Sequence, residues 1–267
     1  LHTWLGVNSP SKSLSDFISR ETLNISKLLV PTNIPGLSLI SGAKDGVEIA
    51  NLKYTQKRRF LSALRNMDAD YIVIDLGAGT SYNTVDFFLL ADIQLMVVIP
   101  EPTSIENAYR FIKNSFFRQV FHNSKNFGLK SVVTPILRID NPYNITTPKT
   151  LIDYFNKLGG SKTVFIEEQL QIFMPKIILN QVRTEKDKLV GLAMKDACSK
   201  YFNINMTFLG YISEDESVWK SVLNRKPLAV ASPDSVPMQQ LKTICSDILL
   251  KETELTSKNN LLSKLAQ

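Results

Sequence analysis

An aspartate and two glycines stand where a parallel sheet could hold a metal ion and a phosphate. Asp75 closes the apolar run 71–74 and is followed by Gly77 and Gly79. If that run is a parallel strand, Asp75 lies at the carboxyl edge of the sheet, where such folds bind ligands. Its carboxylate could hold Mg²⁺, and the glycines would let backbone N–H groups approach a phosphate. The simpler explanation, which the segment alone favours, is an aspartate that caps the turn after a strand.

The usual phosphate-gripping loop is absent from this sequence. A P-loop has the spacing Gly-x-x-x-x-Gly-Lys-Ser/Thr, and its lysine reaches the phosphates. None of the eleven glycines in the 267 residues is followed by lysine. On their own, these residues therefore cannot grip a triphosphate in the P-loop manner.

Apolar runs of strand length alternate with segments of helical period along the chain. This pattern predicts an α/β fold of three layers, a mostly parallel sheet flanked by helices. The predicted strands are 37–40, 71–74, 93–99, 176–179 and 207–212. The predicted helices are one that starts at Ser13 or Ser15, then 53–67, 84–91, 104–121, 148–158, 187–202, 214–223 and 235–251. The polar stretch 122–160 is interpreted as an insertion, or lid-like elaboration, of the same domain.

Composition excludes several classes of protein. Hydrophobic residues make up 44% and charged residues 21%, which fits a globular core and argues against global disorder or a fibrous repeat. The apolar runs are far shorter than the roughly 20 residues that cross a bilayer. Cys198 and Cys245 are too few for a disulfide framework and favour a reducing cytosol. The net charge of +6 indicates an anionic partner without identifying it.

Several stretches resemble the MinD/ParA-type deviant-Walker ATPases, and most of all the branch that includes the FlhG and FleN regulators of flagellar number. The matching stretches are Leu1–Gly6, Leu14–Phe17, Asp75–Ser81 with Asp86–Phe88, Pro100–Tyr109, Asn180–Arg183 and Leu209–Ile212. The resemblance implies a partial nucleotide-binding domain over residues 1–250 that contains the 122–160 insertion. Residues 251–267 would then form a C-terminal tail, which could be amphipathic.

The resemblance also assigns roles to individual residues. Asp75 takes the Walker-B role on the Mg²⁺ side, and Gly77, Ala78 and Gly79 become a turn that senses the γ-phosphate. Asn180 corresponds to the family's adenine-contacting asparagine, whose amide offers a donor and an acceptor. The alternative for Asn180 is a strand-end residue that caps the next helix.

Further candidates come from the loops that follow the predicted strands. Pro100 and Glu101 correspond to a loop on the nucleotide side, with Glu101 beside the nucleotide or at a dimer interface. Arg183 belongs to the stretch that starts with the adenine-contacting asparagine. Ser213 stands where relatives place a loop beside the base, although the proline frequent in that loop is absent here.

In the family, the lysine loop and the catalytic aspartate come before the stretch that corresponds to Leu1–Gly6. We therefore expect this chain to lack the first strand–helix–strand unit, to contain no catalytic residue and to be inactive alone. The intact protein would be a cytoplasmic ATPase that binds ATP and Mg²⁺, forms an ATP-dependent homodimer and contacts a protein regulator or client. It could also lie peripherally at the inner face of the cell membrane.

Two alternatives remain open at this stage. The chain could be a non-catalytic remnant or interaction module, since it lacks the phosphate-gripping lysine. It could also be a DNA-segregating ATPase of the ParA type, although the charge of +6 supports only weak nonspecific binding to DNA.

Overall fold

The computed structural model describes residues 2–7, 12–42, 54–138 and 140–265, and the chain divides into two compact units. The first unit comprises residues 1–75 and 216–233, and the second comprises residues 76–215 and 234–267. Leu1, the predicted helix start at Lys53, and the side chains of residues 251–267 lie outside the described part. The predicted amphipathic face of the tail therefore stays a prediction.

Helices and strands account for most of the described backbone. The helices are α1 (Leu14–Ile18), α2 (Tyr54–Arg65), α3 (Tyr82–Leu90), α4 (Pro102–Ser124), α5 (Lys130–Ile136), α6 (Pro148–Leu158), α7 (Ser161–Ile172), α8 (Glu185–Ala197), α9 (Glu216–Leu223), α10 (Leu228–Ala231) and α11 (Val236–Leu265). The strands are β1 (Val30–Pro31), β2 (Ser38–Leu39), β3 (Leu95–Val98), β4 (Lys176–Val182) and β5 (Thr207–Ser213). A 3₁₀ turn spans Ile25–Leu28, and a π-helical turn at Cys198–Phe202 extends α8.

The first unit contains the predicted N-terminal helix. Ser13 caps α1 in a capping box, because its side chain accepts a hydrogen bond in the first turn while its backbone N–H donates to Asp16. Phe17 of α1 is buried and meets Phe60 of α2 edge to face, with ring centroids 6.4 Å apart. The guanidinium of Arg59 lies 4.4 Å above the Phe17 ring. The predicted start of this helix is confirmed.

The second unit contains the parallel sheet that the sequence predicted. Its strand order is β3-β4-β5, and both pairings are parallel. Met96 lies opposite Ile177, and Leu179 lies opposite Tyr211. Because all three strands run in the same direction, their carboxyl ends meet at one edge of the sheet.

Helices cover β4 on both faces, which explains its continuous apolar run. On one face, Met96 and Ile177 belong to a large buried cluster with Phe116 of α4. On the other face, Ile178 packs with Ile244 of α11. None of the helices in the described residues combines the length and the apolarity needed to cross a bilayer.

The stretch interpreted as an insertion shares its core with the sheet. Val133 of α5 and Phe155 of α6 are buried in the same cluster as the strand residues. Helix α7 was not predicted, because its inner face carries the polar Gln169. That residue is 2% exposed, and Gln119 Nε2 and Asn123 Nδ2 donate to its oxygens over 2.8 and 2.6 Å. A buried polar network of this kind hides the helical pattern from a hydrophobicity analysis.

The predicted strand at 71–74 is wrong for this structure. Residues 71–77 form neither helix nor strand, and Val73 is 92% exposed. A parallel strand buried on both faces needs hydrogen-bonding neighbours and covering helices. Among the described residues no strand pairs with this segment. Composition marked it as a strand, but a strand forms only where neighbours supply its hydrogen bonds.

Helix α8 and strand β5 pack so closely at Gly191 that an added methyl group would clash. A β-carbon built at Gly191 would lie 2.2 Å from Cε2 of Phe208. We expect Gly191→Ala to lower the free energy of unfolding by about 1–2 kcal/mol, because overpacking outweighs the helix propensity of alanine. Urea denaturation measures this change.

The matched control is Gly42→Ala, since no heavy atom of the described residues lies within 4 Å of a β-carbon built there. It should change the free energy of unfolding by less than about 0.5 kcal/mol. Adding Phe208→Leu to the Gly191→Ala variant should restore part of the lost stability. A Gly191→Ala variant as stable as the parent chain would contradict the clash.

Candidate functional site

Two neighbouring cavities lie at the carboxyl ends of β3, β4 and β5. The first, here called the α8 cavity, has a volume of about 310 Å³. Its lining residues are Val182, Arg183, Thr184, Glu185, Lys188, Ser213 and Glu214. The second, called the β3 cavity, has a volume of about 230 Å³. Its lining residues are Ile99, Pro100, Glu101, Gln181, Arg183, Thr184 and Asp187. Arg183 and Thr184 line both, so the two cavities share a wall.

An ion pair crosses that shared wall. Arg183 Nε donates to Glu214 Oε2, and Arg183 Nη2 donates to Glu214 Oε1 over 3.3 Å. The hydrogen bonds to Glu214 raise the pKa of the Arg183 guanidinium above its usual value. Both side chains are more than half exposed. The pair therefore contributes little to stability, but it fixes the direction of a planar group with several donors.

Asp187 holds the backbone that leads from β4 into α8. Its Oδ2 accepts hydrogen bonds from the backbone N–H groups of Arg183 and Thr184, at 3.0 and 2.8 Å. Thr184 caps α8, and its side chain accepts from Asp187 N in return. These backbone donors, that of Arg183 first, lower the pKa of the Asp187 carboxyl.

Lys188 adds a second cation to the α8 cavity. Its Nζ lies 2.5 Å from Glu185 Oε1 and 5.1 Å from the centre of the Tyr211 ring. The hydrogen bond to Glu185 raises the Lys188 pKa. With the hydroxyls of Thr184 and Ser213, the cavity offers fixed donors and acceptors around a space of about 310 Å³. A volume near 300 Å³ is at the small end of the range for small-molecule sites.

Four of the residues proposed from the sequence line these cavities. Pro100 and Glu101 border the β3 cavity, Ser213 borders the α8 cavity, and Arg183 borders both. Pro102 starts α4 directly after this loop, because proline suits the first turn of a helix. The structure thus places residues from three separate stretches at one sheet edge.

Two other predicted sites lie elsewhere in the second unit. Asn180 sits on β4, is half-buried and lines neither cavity, whereas its neighbour Gln181, with φ of 56°, lines the β3 cavity. Gly77, Ala78 and Gly79 form an exposed turn before α3 and also line neither cavity. Gly79 has φ of 109°, a conformation that favours glycine.

Asp75, the predicted metal ligand, is an exposed residue of the first unit within the irregular segment 71–77. Within the described residues no group of three histidine, cysteine or acidic side chains could hold a metal ion. Protein-bound Mg²⁺ commonly uses one or two carboxylates plus phosphate oxygens and water. A single aspartate therefore fits Mg²⁺ that arrives with a nucleotide rather than a stand-alone metal site.

The sequence analysis missed the cavity-lining residues Thr184, Asp187 and Lys188, and it also missed Gln240, which contacts the site from a distant helix. Gln240 of α11 accepts a hydrogen bond from Ser213 N at 2.8 Å and donates one to Ser213 Oγ at 2.9 Å. Gln240 and Ser213 are 27 positions apart. No motif or periodicity connects them, so only the fold could reveal this contact.

Comparison with known sequences finds two proteins that share part of this sequence. The chain is 38% identical over 84 residues to the flagellum site-determining protein YlxH of Helicobacter pylori. The matched region covers 30% of this chain and 28% of that protein. The chain is also 31% identical over 106 residues to the antiactivator FleN of Pseudomonas aeruginosa. This matched region covers 39% of this chain and 38% of that protein. The matches therefore span less than half of each relative's length. No protein-family model matches the chain.

Comparison with solved structures identifies the fold. The septum site-determining protein MinD of Pyrococcus horikoshii, solved in complex with Mg-ADP, superposes with a TM-score of 0.57 at 16% identity. The superposition covers 93% of this chain and 77% of that one. The predicted α/β fold of MinD type is thereby confirmed.

The Asp187 contacts make the wall between the cavities sensitive to acid. Folding lowers the pKa of this carboxyl, so the stability that its hydrogen bonds contribute is fully present above the unfolded pKa and is lost as pH falls through the lowered pKa. In an NMR titration, the amide signals of Arg183 and Thr184 should move together, with a midpoint below the ordinary value of an aspartate. Asp187→Asn should abolish this titration. A midpoint at or above the unfolded value would contradict the contacts.

Proposed function

We propose that this chain, a relative of the flagellar regulators FleN and YlxH with the MinD/ParA-type fold, is the base-binding part of a regulatory ATPase. The ATPase would control the number or position of a cellular structure such as the flagellum. One observation supports this most. Glu101 and Arg183 belong to two stretches that resemble the family, Ser213 directly follows a third, and all three residues border adjoining cavities at the carboxyl edge of a parallel sheet.

The cavities suit the base end of a nucleotide. Adenine and its ribose would occupy the α8 cavity, where the Arg183–Glu214 pair and Ser213 present donors and acceptors to a polar ring edge. Asn180 would contact the base as in the family, which requires its half-buried amide to turn toward the cavity. Glu101, on the β3 cavity, would lie beside the nucleotide or at a dimer interface.

The phosphate end would depend on other residues. Asp75 would hold the Mg²⁺ of Mg-ATP directly or through water, and the turn Gly77–Gly79 would respond to the γ-phosphate. When bound, Mg-ATP supplies the charge that makes such a turn sensitive to hydrolysis. The lysine loop and the catalytic aspartate would come from a segment outside these 267 residues, since no glycine in them is followed by lysine. This chain alone would then not hydrolyse ATP.

The intact protein would dimerise around ATP and change its partner surface on hydrolysis. Its partner would be a protein regulator or client, because an antiactivator such as FleN acts on an activator. It would work in the cytoplasm, and a peripheral membrane contact could come from the end of α11.

A complementation experiment tests this function. The tested protein is a lysine-loop fusion, in which this chain follows the strand–helix–strand unit of the family that carries Lys-Gly-Gly-Val-Gly-Lys. Expressed in Pseudomonas aeruginosa that lacks FleN, the fusion should restore a normal number of flagella per cell. The Asp75→Ala fusion should not, because Mg²⁺ would lose its protein ligand. Equal flagellar numbers with and without the fusion, at matched expression, would refute the proposal.

An interaction module that works without ATP is the second candidate. It is favoured by exposed apolar side chains on the sheet, since Val97 of β3 is 61% exposed and Leu95 is 39% exposed. If the chain is such a module, the unfused chain should change the number of flagella as much as the fusion does. It would also tolerate Asp75→Ala, so the complementation experiment separates the two candidates.

A further inference from the structure

Gln240 forms two hydrogen bonds with the last residue of β5, one through each end of its side-chain amide. Its Oε1 accepts from the backbone N–H of Ser213, and its Nε2 donates to the Ser213 hydroxyl oxygen, at 2.8 and 2.9 Å. A glutamine amide can accept with its oxygen and donate with its nitrogen at the same time. Ser213 is the last residue of β5 and lines the α8 cavity, so these hydrogen bonds lie at the point where the strand meets the cavity.

The helix that carries Gln240 is itself fixed against the sheet. One turn further along α11, Ile244 is 3% exposed and packs against Ile178 and Leu209. Gly210 of β5 has φ of 140°, and a β-carbon built there would lie 3.3 Å from Ile244 Cγ1. The absence of a side chain at Gly210 thus allows α11 to approach the strand closely.

A continuous set of hydrogen bonds leads from Gln240 to the wall between the cavities. Glu214 follows Ser213 directly, and its backbone N–H donates to Val182 O at 2.9 Å. Its carboxylate accepts two hydrogen bonds from Arg183. Because Glu214 and Arg183 are exposed, nothing in their own packing fixes the ion pair. The geometry of the pair therefore depends on the backbone of residues 213–214, which pairs with β4 at Val182 on one side and is held by Gln240 on the other.

We infer that Gln240 is the positioning residue of this site. Its hydrogen bonds to Ser213 fix the position of Glu214. Glu214 in turn fixes the direction of the Arg183 side chain, which shapes the α8 cavity. Gln240 does not line either cavity, so it acts through Ser213 and Glu214. The inference rests on the proposed function only for the identity of the ligand. The geometry it concerns exists in the chain without a ligand.

The test compares Gln240→Leu with Gln239→Leu in the full chain. Gln239→Leu is the same chemical change at an adjacent, exposed position, where the Gln239 amide donates to the nearby Asp234 carbonyl over 3.1 Å. The readout is the Nε–Hε NMR signal of Arg183, which reports on its hydrogen bond to Glu214. We expect Gln240→Leu to move this signal toward that of a free arginine, and Gln239→Leu to leave it unchanged.

Gln240→Glu provides the conservative variant. Its carboxylate can still accept from Ser213 N and can accept from the Ser213 hydroxyl as well. It should keep the Arg183 signal near its original position, at a melting temperature similar to that of Gln240→Leu. An Arg183 signal that is the same in the parent chain and in Gln240→Leu would overturn the inference.

A ligand titration separates this inference from the proposed function. Adenosine is the probe, because it needs no phosphate grip. The parent chain should show saturable shifts at Arg183 and Ser213, and Gln240→Leu should weaken binding about 3- to 10-fold, as expected for one or two lost hydrogen bonds. If the parent chain shows no adenosine shifts, the proposed base site fails. The Arg183 signal would still decide the role of Gln240.

Discussion

Replacing Arg118 with methionine is expected to lower the free energy of unfolding by about 2–4 kcal/mol, because it leaves a largely buried carboxylate without its main partner. Arg118 on α4 donates from Nε and Nη2 to the two oxygens of Asp86 on α3, at 2.8 and 3.1 Å. The Asp86 side chain is only 10% exposed. Arg118 also stacks over Tyr82, with its Cζ 4.6 Å from the ring centre.

A matched arginine on the same helix controls for the loss of charge. Arg110 donates to Glu106 at 2.6 Å, but the two side chains are 68% and 63% exposed. Arg110→Met should therefore cost less than about 0.5 kcal/mol. Urea denaturation of both variants measures the difference.

A double variant tests the physical reason. If the cost arises from a buried carboxylate that has lost its arginine, then Asp86→Leu with Arg118→Met should be more stable than Arg118→Met alone. His122 Nε2 lies 3.3 Å from Asp86 Oδ1, so it could compensate for part of the loss when protonated. Equal costs for Arg118→Met and Arg110→Met would contradict the structural importance of the pair.

Adding the lysine loop is expected to raise the affinity for Mg-ATP at least about 100-fold relative to the unfused chain. Two or more charge-assisted hydrogen bonds to phosphate are each worth about 1.5–3 kcal/mol, and a 100-fold change corresponds to about 2.7 kcal/mol. The unfused chain should bind Mg-ATP more weakly than micromolar, since these 267 residues contain no Gly-Lys pair. Isothermal titration calorimetry compares the two proteins directly.

The control for this experiment is a fusion in which the terminal lysine of the loop is replaced by alanine. It should lose most of the gained affinity while keeping the added strand and helix. Micromolar binding of Mg-ATP by the unfused chain would contradict the prediction, because the phosphates would then be held by groups that the account does not include.

The core strands could be predicted from the sequence because their information is local. The apolar residues Ile177–Leu179 lie inside β4, and the prediction erred mainly at its end, since β4 continues to Val182. The polar Asn180 and Gln181 ended the apolar pattern there. They are tolerated because the strand reaches the cavity edge, where side chains need not be apolar.

The segment 71–74 shows where local information fails. Its residues are as apolar and β-branched as those of β3, yet residues 71–77 form no strand. Strand formation depends on hydrogen-bonding neighbours, and these are a property of the whole fold. The candidate metal ligand Asp75 follows this segment, so its geometry could not be predicted either.

The candidate site likewise has a part that could be predicted from the sequence and a part that could not. The motif around Pro100–Ser104 and the stretch Asn180–Arg183 could be found in the sequence, because each lies in one continuous piece. The contacts that shape the cavities join distant residues: Arg183 and Glu214 are 31 positions apart, and Ser213 and Gln240 are 27 apart. No single-sequence pattern encodes such pairs.

The central claim is that the carboxyl edge of this sheet holds the base of a nucleotide, and chemical-shift mapping of Mg-ATP on the lysine-loop fusion tests it most directly. The account predicts saturable shifts at the amides of Gln181, Arg183 and Ser213, which border the two cavities. It also predicts no shifts on the exposed face of α7. Saturable binding that leaves the amides of Gln181, Arg183 and Ser213 unmoved would contradict it.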